Sequence, residues 1–374
     1  MTDVPAPDAV DRILLHEAAS LGAPARQVAV LDDETGALGI GAAEVVGASD
    51  AAVRIYCDSA AAERRVLEEH ARSGVTAVTA ADLTQAVAGA DLVLLRLPKT
   101  LAALEVIADA VARSADPSVQ LLGGARIKHL NRAMNDVLLS RFASVRASLG
   151  QQKSRVLVAA QPKSSPAAIP GRMQWHADLG ITLCALGGVF GGTSVDRGTR
   201  FLLGFADQFP SAGQVLDLGS GNGVLAVMAA RRHPEAQVTA VDDSRDAVRS
   251  TLATAAANDV GDRVRVCHTD RLNAAPACVE PGSVDLVLCN PPFHRGTTRD
   301  SSAAYAMFAD AARVLRPGGE LWVVFNSHLP YLPNLRRVVG RTTVVGQNPR
   351  FTVTRSTRSL EVPPDDVGPS SLEI

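Results

Sequence analysis

The chain has 374 residues, enough for two domains with full cores, and its 47% hydrophobic and 20% charged content is that of an ordinary globular protein. A formal net charge of −2 excludes binding to nucleic acid by bulk charge, so any such contact must come from local patches. No apolar run reaches membrane-spanning length, and the acidic start from Met1 to Asp8 has no signal-peptide layout, so a cytoplasmic protein with no membrane partner is expected. The cysteines Cys57, Cys184, Cys267, Cys278 and Cys289 show no Cys-x-x-Cys spacing. They read as buried free thiols of a reducing compartment, and no metal is expected.

In chain order, Val10, Ile13, Leu14 and Leu21 lie at helical spacing and predict a first helix over 9–22. Val28 onward reads as a strand ending at Asp32. Val53 to Ser59 is a second strand, followed by a helix to about Ser73, and Asp91 to Lys99 is a third. Residues 126–155 set Arg126, Lys128, Arg132, Arg141, Arg146, Lys153 and Arg155 against one acid, Asp136, a patch suited to phosphate contacts. Gln161 to Gly171 is rich in Pro, Ser and Ala and reads as a linker. The expected organisation is a domain over 1–160, a linker over 161–173, a second domain over 174–362 and a disordered tail over 363–374.

The second half opens with a strand over Ile181 to Leu186 and a glycine-rich loop over Gly187 to Gly192. In that loop Phe190 either packs over a ligand or joins the core. Ser194 or Asp196 can cap a helix over 197–208. Val215 to Leu218 is a buried strand, and Gly219-Ser220-Gly221-Asn222-Gly223 turns it into a helix over Val224 to Arg232. The glycines remove side chains from the turn, so a ligand can approach the backbone and the outward-pointing amides of the helix start. Asp217 sits at the strand's carboxyl end, where open α/β sheets bind ligands. The acid-first spacing suits a ligand bearing an ammonium group better than a pyrophosphate, which needs Gly-x-Gly-x-x-Gly.

Val238 to Val241 is the next strand and ends at Asp242-Asp243-Ser244. An acid there commonly holds two ribose hydroxyls. Ser244 can cap the following helix, Arg245 to Ala257, which leaves Asp242 for the ribose. After the strand Val264 to Cys267, Asp270 either accepts from an adenine amino group or caps a loop. The strand Val284 to Cys289 runs into Asn290-Pro291-Pro292-Phe293. Two prolines forbid ladder bonding and a helical residue before them. The Asn290 amide oxygen and the adjacent carbonyl can hold an NH₂ group by its two hydrogens, and Phe293 offers a face for a planar base. This is the chemistry that methylates an exocyclic amine. His294 either relays a proton or lies at the surface, and Arg295 and Arg299 can hold flanking phosphates. A helix over Ser302 to Leu315, a strand over Glu320 to Phe325 and a hairpin over 342–346 and 350–356 close the sheet.

The halves repeat. Asp32 to Ser59 spans 27 residues, as does Asp217 to Ser244, and Asp91-Leu-Val-Leu recurs as Asp285-Leu-Val-Leu. On that spacing Glu34 stands at Gly219, Leu38 at Gly223, Cys57 at Asp242 and Arg96-Leu-Pro-Lys99 at 290–293. The first copy has therefore lost the ligand chemistry.

The glycine motif resembles the first motif of class I S-adenosylmethionine-dependent methyltransferases. With Asn290-Pro-Pro-Phe-His294, Gly188-Val-Phe190, Val195-Asp-x-Gly198, His328-Leu-Pro-Tyr331, Leu97-Pro-Lys-Thr100 and the duplication, nearly the whole chain resembles the bacterial ribosomal-RNA guanine-N2 methyltransferases with paired domains. The resemblance implies an α/β fold of two tandem Rossmann-like domains. The first is degenerate and helps hold RNA through Lys128, Arg132, Lys153 and Arg155. The second has a mostly parallel sheet ending in an antiparallel hairpin and binds S-adenosylmethionine. It places Asp217, Gly219, Ser220, Gly221, Asn222, Asp242, Asp243, Ser244, Asp270, Arg271 and Phe190 around the cofactor. Asn290, Pro291, Pro292 and Phe293 orient the amine. Gly191-Gly192 departs from the Ser-Arg pair frequent in that family. The expected partner is ribosomal RNA or a ribosomal subunit, bound by a monomer. The subunit stays open, and so do a DNA adenine or protein glutamine substrate and a non-catalytic role in ribosome assembly.

Overall fold

The computed structural model describes residues 5–21, 25–45, 53–164, 171–273, 277–292 and 301–359. Two seven-stranded sheets carry the fold. The first contains β1 (Val28–Leu31), β2 (Val53–Tyr56), β3 (Ala77–Thr79), β4 (Leu92–Arg96), β5 (Gln120–Arg126), β6 (Phe142–Ala147) and β7 (Ser154–Pro162), in the order β3-β2-β1-β4-β5-β7-β6. A separate hairpin pairs β8 (Arg172–His176) with β9 (Ile181–Ala185). The second sheet contains β10 (Gln214–Leu218), β11 (Gln237–Asp242), β12 (Val264–His268), β13 (Val284–Cys289), β14 (Leu315–Asn326), β15 (Gly340–Gln347) and β16 (Phe351–Arg358), in the order β12-β11-β10-β13-β14-β16-β15.

Strand for strand the two orders are the same, so the chain is a duplication. In each copy the central strands are parallel and their apolar runs are buried, as expected for a sheet covered on both faces. Each sheet ends in an antiparallel hairpin, β6–β7 and β15–β16. The strand order reverses beside β1 and beside β10, which is where ligands bind in such sheets. The chain divides into two compact units. One is Met1–Thr193 with Asp242–Thr254 and His268–Asp270, and the other is Ser194–Val241 with Ala255–Cys267 and Arg271–Ile374.

Matching hydrogen bonds set the register of the duplication. Asp91 accepts from the amides of Arg26 at 2.9 Å and Gln27 at 3.0 Å. Asp285 accepts from Gly213 at 2.7 Å and Gln214 at 2.8 Å. Leu31 then lies opposite Tyr56 and Leu95, as Leu218 lies opposite Val241 and Cys289. Leu31 therefore corresponds to Leu218, which corrects the alignment drawn from equal spacing. Val30, not Asp32, stands at Asp217. Asp32 stands at Gly219, and Gly36 (φ 90°), not Leu38, stands at Gly223 (φ 81°). The first copy has two more residues between the paired strand ends (56 − 31 = 25 against 241 − 218 = 23), and the 27-residue match hid that insertion. Cys57 at Asp242 and Arg96 at Asn290 stand as aligned.

The positions at which the first copy departs from the second are thus not the ones expected. Its strand-end acid is replaced by the fully buried Val30. The first position of its turn holds Asp32, a non-glycine at φ 57° whose carboxylate accepts from the Asp58 amide at 2.9 Å. Asp33 Oδ2 accepts from the Gly39 amide at 2.9 Å, and Asp217 Oδ2 accepts from the Ala226 amide at the same distance. Each acceptor ties the turn to the third residue of its helix, Ala37–Val45 or Val224–Arg232. Position 33 has taken over a bond that position 217 makes in the second copy.

One cysteine expectation is overturned. Cys267 and Cys278, 11 residues apart, form a disulfide with Cα atoms 6.5 Å apart, a separation that no Cys-x-x-Cys search detects. Cys57, Cys184 and Cys289 are free and buried, and burial pushes the Cys289 thiol well up. The helix expected over 197–208 stops at Leu203 and is followed by a 3₁₀ turn, Ala206–Gln208. The tail from 363 lies outside the described residues.

Burial pushes the Asp32 carboxyl up to about 7, with Asp58, Asp246 and Glu34 adding to it. A folded value above the unfolded one means that the native state binds the extra proton, so stability falls as pH rises from about 4 to about 7. Asn tolerates the left-handed backbone and can still accept from Asp58. Asp32→Asn should therefore stabilise the protein by about 1–2 kcal/mol at pH 8, with the gain vanishing toward pH 4. Thermal melts of both proteins across that range check it.

Candidate active site

The glycine turn begins where β10 ends. Gly219 and Ser220 donate their amides to the Val241 carbonyl at 2.9 and 3.0 Å, and Gly223 donates to the Ser220 carbonyl at 2.8 Å. The backbone needs glycine at three points, one of them Gly223 (φ 81°) at the helix start. Gly219 (φ 83°) and Gly221 (φ 54°) are left-handed, and no atom lies within 4 Å of a Cβ built on Gly221. The turn is therefore an open cradle on that side. Ser220 and Asn222 are buried, and Asn222 Nδ2 donates to the Ser194 carbonyl at 3.0 Å. Asp217 is fully buried. With Oδ2 on the Ala226 amide, this acid shapes the turn, a role the sequence alone did not reveal.

Asn290 follows β13. Its Nδ2 donates to Asp196 Oδ2 at 3.0 Å and to Thr199 Oγ1 at 2.9 Å. Asp196 also caps the helix Arg197–Leu203, accepting from the amides of Gly198 at 2.8 Å and Thr199 at 3.1 Å. A carboxylate can only accept, so it fixes which way the Asn290 amide points. The other end, Oδ1, is buried and has no hydrogen-bond partner among the described residues. A buried acceptor left unpaired costs about 1–3 kcal/mol, which a ligand donor would recover. The Asn290 backbone carbonyl lies 4.0 Å from a Cβ built on Gly219, so this residue adjoins the opening of the glycine turn. Pro291 is buried, whereas Phe293, His294, Arg295 and Arg299 lie outside the described residues.

Asp196 and Thr199, which hold the Asn290 amide, are candidate-site residues that the sequence does not single out. It gave Asp196 only the capping role, which the structure bears out over Ser194. The contact with Asn290 spans 94 residues of sequence, and the only pointer to it was the Val195-Asp-x-Gly198 run.

In the other unit, Asp242 ends β11, and its Oδ1 accepts from the Ser244 amide at 2.9 Å. Ser244 Oγ accepts from the Ala247 amide at 3.2 Å, so Ser244 caps the next helix as expected. Asp243 accepts from Ser59 Oγ and from the Ala61 amide, both at 2.8 Å. Asp270 pairs with the Arg64 guanidinium at 2.8 Å. Arg271 is exposed. Phe190 is 67% exposed, which rules out a core position.

The basic patch of the first half is smaller than its sequence count. Arg141 turns inward to the buried Asp109 at 3.3 Å, and Arg146 lies 3.9 Å from Glu17. Arg126, Lys128, Arg132 and Lys153 are exposed and have no ion pair among the described residues, and Arg155 is half-buried. Among the described residues, no three His, Cys, Asp or Glu side chains are grouped to hold a metal, and no helix is long and apolar enough to cross a membrane.

A mostly parallel sheet with a glycine turn after its first strand, Asn-Pro-Pro after its fourth and a closing antiparallel hairpin defines a class I methyltransferase. The comparisons agree. The methyltransferase small domain matches residues 180–355, and the RLMG N-terminal domain matches residues 2–164. The ribosomal RNA large subunit methyltransferase G of Stutzerimonas stutzeri is 36% identical, covering 94% of this chain and 93% of that one. The protein of the same name from Streptomyces griseus is 34% identical with the same coverage. The Thermus thermophilus 16S rRNA N2 G1207 methyltransferase RsmC, solved with AdoMet and guanosine, superposes with a TM-score of 0.74 at 25% identity, over 94% of this chain and 92% of that one. The chain belongs to the ribosomal RNA large subunit methyltransferase G family.

Asn290→Asp would place two carboxylates about 3 Å apart where an amide now donates to an acid. Like charges that close raise one carboxyl pKa, so the variant should lose about 2 kcal/mol of stability at pH 8 and recover part of it by pH 5. Thermal melts at both pH values check this.

Proposed function

We propose that the protein transfers a methyl group from S-adenosylmethionine to the exocyclic N2 amine of a guanine in large-subunit ribosomal RNA. The observation that carries this reading is the buried, unpartnered Oδ1 of Asn290, held in place by the bonds that its Nδ2 makes to Asp196 and Thr199. The relatives' shared name supports the large subunit as target, and the Thermus neighbour, a guanine-N2 methyltransferase solved with AdoMet, supports the guanine amine and the cofactor. An enzyme with this substrate works in the cytoplasm, with the ribosomes.

The open side of the turn at Gly221 fits a cofactor that lies against backbone. Ser220 and Asn222 line the turn, and Asp242 at the end of β11 would take the ribose hydroxyls. Asp243 is engaged by Ser59 and Ala61. Asp270 and Arg271 follow β12 and would edge the adenine, and Phe190 would cover it. When bound, S-adenosylmethionine supplies an electrophilic methyl on a sulfonium. The protein's contribution is position. Asn290 Oδ1 and the Pro291 carbonyl accept the two amine hydrogens and turn the nitrogen lone pair out of conjugation with the ring. As the amine attacks and gains positive charge, both acceptors bind it more strongly, which favours the transition state over the ground state. Pro292 stiffens the run and Phe293 would stack on the base. The guanine must leave its stack to reach these groups, which costs a few kcal/mol in a duplex and less in a loop. Lys128, Arg132, Lys153 and Arg155 would hold RNA on the first copy, and Arg295 and Arg299 beside the target.

Incubation with methyl-labelled S-adenosylmethionine and unmodified large-subunit particles, small-subunit particles or their naked RNA tests this, with nucleoside analysis of the product. Label is expected in N2-methylguanosine of the large-subunit RNA. Asn290→Ala should reduce transfer by about 10³-fold or more while cofactor affinity stays within about threefold. Label in another nucleoside, or equal loss of transfer and cofactor binding, would overturn the assignment.

A further inference from the structure

On the catalytic copy, one turn of helix away from Asn290, lies a cleft of about 520 Å³. One wall is the helix Arg197–Leu203, which presents Arg197, Arg200 and Phe201. The other is the tip of the β15–β16 hairpin, Asn348 to Phe351. The tip is tightly tied. Asn348 Oδ1 accepts from the amides of Arg350 and Phe351, both at 2.8 Å. The Asn348 amide donates to the Phe351 carbonyl at 2.9 Å, and the Arg350 carbonyl accepts from the Ser327 amide at 2.9 Å. Gly198 is placed so that the Phe351 ring fits against it, since a Cβ built there would stand 3.4 Å from Cε1 of that ring. Phe201 and Phe351 face each other with ring centroids 6.4 Å apart.

The cleft therefore holds three guanidinium groups and two aromatic rings on preformed elements. Arg197 and Arg350 are exposed and have no carboxylate partner among the described residues. The position is informative. Asp196 and Thr199, which hold Asn290, belong to the same turn of helix that presents Arg197 and Arg200 to the cleft. A guanine held at Asn290 carries phosphodiester bonds on both sides, and a base lifted from its stack leaves a neighbour exposed. Cationic groups with interleaved aromatic faces are what a single strand requires, since guanidiniums take phosphate oxygens and rings take the base.

Resting on the function proposed above, we infer that this cleft is the subsite for the RNA nucleotide adjoining the target guanine. Arg197 and Arg350 hold its phosphates, and the exposed edge of the Phe201–Phe351 pair packs on its base. This is a strand contact separate from the basic patch of the first copy, and it sets which neighbours of the guanine are accepted.

The test compares the full-length protein with Arg197→Ala/Arg350→Ala and with Arg197→Lys/Arg350→Lys. Binding of a fluorescent twelve-nucleotide single-stranded RNA containing one guanine is measured against salt, alongside KM for large-subunit RNA and the cofactor Kd. The alanine variant should bind the oligonucleotide about tenfold more weakly, and the slope of log affinity against log salt should fall by about 1.4, or about 0.7 for each lost phosphate contact. KM for RNA should rise in step while the cofactor Kd is unchanged. The lysine variant should keep the slope. An alanine variant with wild-type slope and wild-type KM would overturn the subsite. If instead the wild-type enzyme labels no guanine in ribosomal RNA, the proposed reaction itself fails, which is a separate outcome.

Discussion

The hydrogen bond from Asn290 Nδ2 to Asp196 Oδ2 is the constraint on which the geometry of the candidate site depends. An amide side chain reads nearly the same after a half-turn, and only its partners decide which end faces the substrate. Flipping Asn290 would lose the bond to Asp196 and set an oxygen against its carboxylate, while the Thr199 hydroxyl could turn and donate instead. The penalty is about 3 kcal/mol, or roughly two orders of magnitude in population. The Asn290 acceptor is thus preset by the fold, and in the proposed reaction positioning of this kind takes the place of a strong base. The same carboxylate starts the helix Arg197–Leu203, so one residue aligns the amide, the helix and the cleft on that helix's outer face.

The duplication keeps one fold while the residues at the strand ends diverge. Both sheets retain their strand order, and both retain the acid that ties strand β4 or β13 to the amides before β1 or β10. Both turns keep a glycine at the helix start and a carboxylate on the helix's third amide. What changed is local. An acid became Val30, a glycine became Asp32, and the strand-end asparagine became Arg96, which now pairs with Asp8 and Asp11. The architectural bonds are those that remain.

Much of this was legible in the sequence. The glycine turn, Asn-Pro-Pro and the final hairpin lie on contiguous residues, and local chemistry sufficed to place them, down to the helix Val224–Arg232. The repeat was legible, but its register was not. Equal 27-residue spacings concealed a two-residue insertion that only strand pairing exposes. The other misses are side-chain pairings that no local motif announces, whether their partners lie near in sequence, as the cysteines do, or far. Asp196 finds Asn290, Arg141 finds Asp109, and Cys267 finds Cys278, each through the path of the folded chain. The patch over 126–155 looked larger in sequence because a count of charges cannot see those that turn inward.

The central claim is that Asp196 presets the Asn290 amide, and the most direct measurement is single-turnover methyl transfer by Asp196→Ser. Serine keeps an oxygen for the helix cap but is too short to reach Asn290. The account predicts transfer slower by about 10²-fold, with cofactor affinity and melting temperature close to wild type. Transfer at the wild-type rate would contradict it and leave Asp196 as a helix cap alone.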